Sequence, residues 1–188
     1  MTDLLKREGN LRKEVDKILY ERGLYDLLDE YGEVLLTGSY ILKTMYKYDL
    51  DISLYNPELT VKQFYELGGR LAEMLEPHGG FFRNTRVKFV ENRPLEALYW
   101  GMQFGDWKLD LWVITKEHFN GAVEYCDNII KQMTDEKRKL ILEIKNKASS
   151  NYNRKYSSKE LYAAIFKEDV KSIEEFNAFL QKKVGCDI

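Results

Sequence analysis

Val34-Leu35-Leu36-Thr37-Gly38-Ser39, followed ten residues after the serine by Asp49-Leu50-Asp51-Ile52-Ser53-Leu54-Tyr55, is the stretch on which the reading of the chain turns. The first run is short, apolar and closed by Gly-Ser. The second reads as a strand with two carboxylates in alternation. Successive strand residues point to opposite faces, so Asp49 and Asp51 share a face with α-carbons roughly 6.5 Å apart. Two carboxylates that close repel each other, and a divalent ion offsets the repulsion because hard cations such as Mg²⁺ bind carboxylate oxygens and favour sites shared with phosphates. The Gly-Ser turn complements this: glycine lets backbone approach an anion closely, and a helix start presents unpaired N–H groups.

Outward from this stretch, apolar residues at Leu4, Leu5, Leu11, Val15, Ile18, Leu19, Leu24, Leu27 and Leu28 recur at helical spacing. They predict one or two amphipathic helices before Tyr31, with Gly9 and Gly23 as interruptions and Gly32 as the stop. Glu33 to Thr37 reads as a buried strand, and Ser39 as the N-cap of a helix over Tyr40 to Tyr46. After the Asp49–Tyr55 strand and the Asn56-Pro57 turn, Thr60 to Glu76 predicts a helix with Val61, Phe64, Leu67, Leu71, Met74 and Leu75 on one side. Gly68-Gly69 within it marks close packing. Three strands follow, Phe81 to Glu91, Glu96 to Phe104 and Trp107 to Thr115, the last two as a hairpin across Gly105-Asp106. From Lys116 the pattern is helical, broken at 149–153, with a final helix from Ser158 to Val184. The expected division is a core over 1–115 carrying the N-terminal helices and a helical C-terminal extension over 116–188.

Composition narrows the function. Lys and Arg total 29 against 31 Asp and Glu, so no global basic field argues for nucleic acid as partner. Met1 to Arg12 is charged and lacks the apolar centre of a signal peptide, and no window approaches the roughly 18 apolar residues of a membrane span. A cytoplasmic location is the expectation. Cys126 and Cys186 lie far apart without ligand spacing and read as ordinary reduced thiols; His78 and His118 are equally solitary, which leaves neither a zinc site nor a nucleophile–histidine pair.

Lys108-Leu109-Asp110-Leu111-Trp112-Val113 places one acid among large apolar residues, where an unpaired carboxylate is costly. If this strand lies beside Asp49–Tyr55, Asp110 joins Asp49 and Asp51 in a cluster able to hold two metal ions about 3.5–4 Å apart. Gly38-Ser39, then Asp49-Leu50-Asp51-Ile52, then Leu109-Asp110-Leu111 resembles the signature of the polymerase beta-type nucleotidyltransferase superfamily, over about Glu33 to Thr115. The resemblance implies an α/β (α+β) mixed-sheet fold with helices on one side. It further implies that Asp49 and Asp51 bind Mg²⁺ (Mn²⁺ as a substitute), that Asp110 completes the metal site and acts as base, and that Gly38 and Ser39 hold the phosphates. An arginine common after Gly-Ser in the superfamily is absent here, and Lys43 or Lys47 stands in for its charge. The implied reaction is transfer of a nucleoside monophosphate from a nucleoside triphosphate to an acceptor hydroxyl on a small molecule or a protein. The alternative is a non-catalytic nucleotide- or protein-binding module that keeps the fold.

Each piece also has a structural reading. Asp49 and Asp51 alone would be a solvated strand edge, and Asp110 alone an acid paired with Lys108 or Arg86. Arg83, Arg86 and Lys88 alternate on one strand face and read as a solvated basic face rather than as contacts to substrate phosphates. Lys145, Lys147, Arg154 and Lys155, interleaved with Tyr152 and Tyr156, read as a solvated linker rather than the lining of an acceptor or nucleotide site.

Overall fold

The computed structural model describes residues 3–87, 96–149 and 156–184. A five-stranded mixed sheet is built from β1 (Glu33–Leu36), β2 (Asp49–Tyr55), β3 (Gly79–Asn84), β4 (Leu98–Phe104) and β5 (Trp107–Val113), in the order β1-β2-β5-β4-β3. Only β2 and β5 run parallel; the other three pairs are antiparallel. The β4–β5 hairpin turns at Gly105, whose positive φ of 51° suits glycine.

Strand alternation divides the sheet into two unlike faces. On one, Leu50, Ile52, Leu54, Leu109, Leu111, Val113, Leu98 and Met102 are buried against Leu11, Val15 and Leu19 of the N-terminal helices and against Phe64, Leu67 and Leu71. Those last three belong to α4 (Val61–Leu75), which starts with a capping box between Thr60 and Gln63 and buries one stripe as expected. The opposite face carries Asp49, Asp51, Lys108 and Asp110, and at its far end Phe119 of α5 (Lys116–Gln132) packs against Tyr55.

The N-terminal helices are α1 (Asp3–Asp16), a π-helical turn over Lys17–Glu21, and α2 (Leu24–Asp29). Gly23 breaks them with φ of 77°, whereas Gly9 lies inside α1 and interrupts nothing. A helical glycine costs only about 1 kcal/mol, less than burial of Leu11 and Val15 returns. The expected helix over Tyr40 to Tyr46 is instead α3 (Gly38–Ile41), stopped because Lys43 takes φ of 54°. Its N-cap is Thr37, so Ser39 is not the cap. The expected strand Phe81 to Glu91 shifts towards the N-terminus: β3 starts at Gly79 and ends at Asn84, where the Asn84 side chain accepts the Arg86 N–H in a tight turn, and Lys88 to Glu91 lie outside the described residues.

Beyond α5 come α6 (Asp135–Ser149), α7 (Ser158–Phe166) and α8 (Ile173–Val184). The single final helix of the sequence reading is thus two: Asp169 turns the chain with φ of 54°, and the Ser172 hydroxyl accepts the Glu175 N–H to start α8. The break lets Phe176 fold back into a second core with Ile129, Ile141, Ile144, Leu161 and Ile165, which also takes in Leu42 from the segment after α3. Cys126 is buried and free; Cys186 lies outside the described residues.

Candidate active site

The parallel pairing of β2 with β5 sets Asp51 directly opposite Asp110 and Asp49 opposite Lys108. The expected convergence follows: one oxygen from each of Asp49, Asp51 and Asp110 lies within 4.8 Å of the others. Tyr48 fixes where this pairing begins, since its carbonyl accepts the Lys108 N–H at 2.8 Å and its ring meets Trp107 edge-on at 5.1 Å.

The Gly-Ser turn is bound to the same place. Thr37 donates both its N–H (3.1 Å) and its hydroxyl (3.2 Å) to the Asp51 carbonyl. Gly38 then passes over the Asp51 carboxylate so closely that a Cβ there would stand 2.2 Å from Oδ2, and its φ is 65°. Glycine is required twice over. Ser39 borders the adjoining cleft, and its hydroxyl has no protein partner among the described residues.

That cleft, about 400 Å³, lies between the carboxylates and the helices α6 and α7, with Lys47, Tyr46, Lys145, Tyr156 and Tyr162 along its walls. Lys47 borders it; Lys43 does not, and its charge acts on buried Glu8 instead. Lys145 departs most from the sequence reading. It is not a solvated linker residue: its Nζ donates to the Thr44 carbonyl at 2.8 Å and lies 3.4 Å from the Tyr162 hydroxyl, which in turn bonds the buried Thr44 hydroxyl at 2.8 Å. Burial lowers the Lys145 pKa to about 8, while Asp51 and Asp49 pull the other way. The interleaving of basic residues with tyrosines hinted at such a lining, but it could not place Lys145, which reaches the site through packing of α6 on the Thr44 segment.

Charge repulsion is visible in the acids. Burial, then the Asp49 and Asp110 charges, push the Asp51 pKa up to about 7, and burial raises that of Asp49. Asp110 is held by two neighbours that sequence reasoning treated unequally. Lys108 was a named partner and does bind Asp110 Oδ2, whereas Tyr99, which donates its hydroxyl to Asp110 Oδ1, was missed. A faint signal exists in Tyr99-Trp100-Gly101: Gly101 lies opposite Asp110, and the Tyr99 ring occupies the space where a Gly101 side chain would stand. Arg86 instead donates to the Leu59 carbonyl at 2.8 Å, and the Arg83 guanidinium lies over the Phe81 ring.

The donor set suits a divalent cation. All three ligands are hard oxygens, and Asp49 Oδ1 is buried without any hydrogen-bond partner, an orphan that an ion would satisfy. Among the described residues no helix is long and apolar enough to cross a membrane.

No family model and no curated protein matches the chain. Among solved structures, a chain in the structure of the GLD-2/RNP-8 complex aligns with a TM-score of 0.48 at 12% sequence identity, covering 88% of this chain and 59% of that one.

Proposed function

We propose that this protein is a divalent-metal-dependent nucleotidyltransferase that moves a nucleoside monophosphate from a nucleoside triphosphate to an acceptor hydroxyl on a small molecule or a protein. The observation that carries the reading is the meeting of three carboxylates, one with an orphaned buried oxygen, directly beneath a glycine turn and beside a cleft with two lysines. Asp49, Asp51 and Asp110 would hold Mg²⁺ or Mn²⁺. Bound there, the ion supplies neutralisation of the phosphates and of the charge developing on the reacting oxygens.

The chain's own residues divide the remaining work. Gly38 brings backbone close to a phosphate without a side chain in the way, and the unpartnered Ser39 hydroxyl donates to a phosphate oxygen. Lys47 and Lys145 both line the cleft and hold the triphosphate, Lys47 in the role expected of it or Lys43. Asp110, whose carboxylate is oriented by Tyr99 and Lys108, accepts the proton of the acceptor hydroxyl. Tyr156 and Tyr162 border the cleft on the α6–α7 side, where the nucleoside would lie. Residues 1–115 thus supply the metal ligands and part of the phosphate site, and the helices after 116 add Lys145 to it and close the nucleoside side.

The test is incubation with each of the four triphosphates and Mg²⁺ or Mn²⁺ in the presence of candidate acceptors, read by pyrophosphate release and by the mass of the acceptor. Transfer that disappears in Asp49→Asn/Asp51→Asn supports the reading. Triphosphate binding without pyrophosphate release under any of these conditions would establish the non-catalytic binding module instead.

A further inference from the structure

Lys108 stands where a metal ligand site needs free oxygens. Opposite Asp49 in the β2–β5 register and two residues before Asp110 on the same face, it hydrogen-bonds Asp110 Oδ2 and places its Nζ 3.9 Å from Asp49 Oδ1. The ammonium therefore lies between two of the three converging carboxylates, and the second oxygen it faces is the one that lacks a hydrogen bond. The side chain is 45% exposed, so the same stem can carry the charge out of the cluster.

We propose that Lys108 is a resident counter-cation of the carboxylate cluster, which resists bare divalent ions and yields to a metal ion that arrives with a triphosphate. This rests on the metal-dependent reading above and extends it to the order of loading. A divalent ion held by Asp49 and Asp110 would compete with the ammonium for the oxygens that Lys108 now faces, and two positive charges that close repel each other. Lys108 would then swing out of the cluster. With a bare ion it leaves for water, having lost its carboxylate partner while a new positive charge stands beside it. With a metal–triphosphate complex it leaves for phosphate oxygens of opposite charge, and the exchange of partners is even. The lysine thereby couples metal entry to nucleotide entry. A purely structural lysine, present only to relieve repulsion among the acids, has no such effect on binding order.

The experiment compares bare Mn²⁺ with preformed Mn²⁺–tripolyphosphate, each titrated calorimetrically into the full chain. For the wild type the complex should bind at least tenfold more tightly than bare Mn²⁺. In Lys108→Met, bare Mn²⁺ should bind at least fivefold more tightly than in the wild type, and the preference for the complex should shrink; Lys108→Arg, which keeps the charge, should retain both wild-type values. Unchanged or weaker bare-Mn²⁺ binding in a Lys108→Met protein of wild-type circular dichroism overturns the proposal. If that variant does not fold, equal wild-type affinities for bare and complexed Mn²⁺ overturn it just as well. Binding that survives in Asp51→Asn, or no binding of either probe to the wild type, overturns the nucleotidyltransferase reading together with this one. Cluster-dependent binding without the Lys108 effect overturns this one alone.

Discussion

Ser39 changes meaning once its surroundings are known. Because Thr37 occupies the cap position and the Ser39 hydroxyl has no partner among the described residues, removing that hydroxyl disturbs little in the resting protein. Ser39→Ala should leave the urea midpoint close to wild type, since alanine suits a helical position, while triphosphate affinity falls roughly 10- to 150-fold, the loss of one hydrogen bond to a charged group. Titration of the variant within about threefold of wild type would remove Ser39 from the phosphate site. Lys145 makes the complementary case. Its pKa is lowered from 10.5 to about 8, chiefly by burial, so below pH 8 the folded protein carries the full cost of a buried charge. Between pH 8 and 10.5 the unfolded chain binds more protons at this position than the folded one, and stability rises with pH. Denaturant unfolding of wild type and Lys145→Met should therefore show the wild type gaining on the variant by about 2 kcal/mol between pH 7.5 and 9.5. At pH 7 the variant should be no less stable, yet bind triphosphate at least tenfold more weakly, separating the role of the lysine from its burden.

Among the elements, α4 carries two adjacent glycines with opposite roles. Gly68 faces the Trp100 ring, where a Cβ would lie 2.7 Å from ring atoms already fixed by the Trp100 N–H donating to the Phe64 carbonyl. Gly69 is exposed and meets nothing within 4 Å. Gly69→Ala should stabilise by about 0.5–1 kcal/mol through helix propensity, and Gly68→Ala should destabilise by about 1–3 kcal/mol because overpacking exceeds the same gain; thermal melts of the two single variants decide it. This contrast also shows where sequence reading stops. Gly68-Gly69 announced close packing, but helical periodicity assigns faces only to within a residue or so, and the partner Trp100 lies on a strand with no local link to α4. The strands, α4 and the Asp49/Asp51 alternation were legible because each is written in a period of 2 or 3.6 residues. Asp110 was legible because a carboxylate in an apolar strand demands compensation. Tyr99 and Lys145 were not, since their roles come from a cross-strand ring and from a helix packing on a distant turn. The split between α7 and α8 was hidden for a related reason: Asp169 in the left-handed conformation is local chemistry that no apolar pattern reports.

In the whole molecule, the two cores are joined at Thr44 and Tyr162, a buried pair of hydroxyls linking the segment before β2 to α7. Tyr162→Phe strands the Thr44 hydroxyl and should cost about 1–3 kcal/mol in equilibrium unfolding; a loss below about 0.5 kcal/mol would mean that the join does not depend on this bond. The parallel pairing of β2 with β5 has a consequence for how the protein comes into being. Residues roughly 60 positions apart must meet, with α4 and the whole β3–β4 hairpin threaded between them, and closing a loop of that length costs about 3–4 kcal/mol of chain entropy before any contact offsets it. On a ribosome, Asp49 and Asp51 emerge long before Asp110, so a growing chain holds two acids of the cluster without the strand that brings both the third and its lysine. The cluster is complete only when the chain has folded past β5, so any chemistry that needs all three acids would be withheld from every unfinished copy.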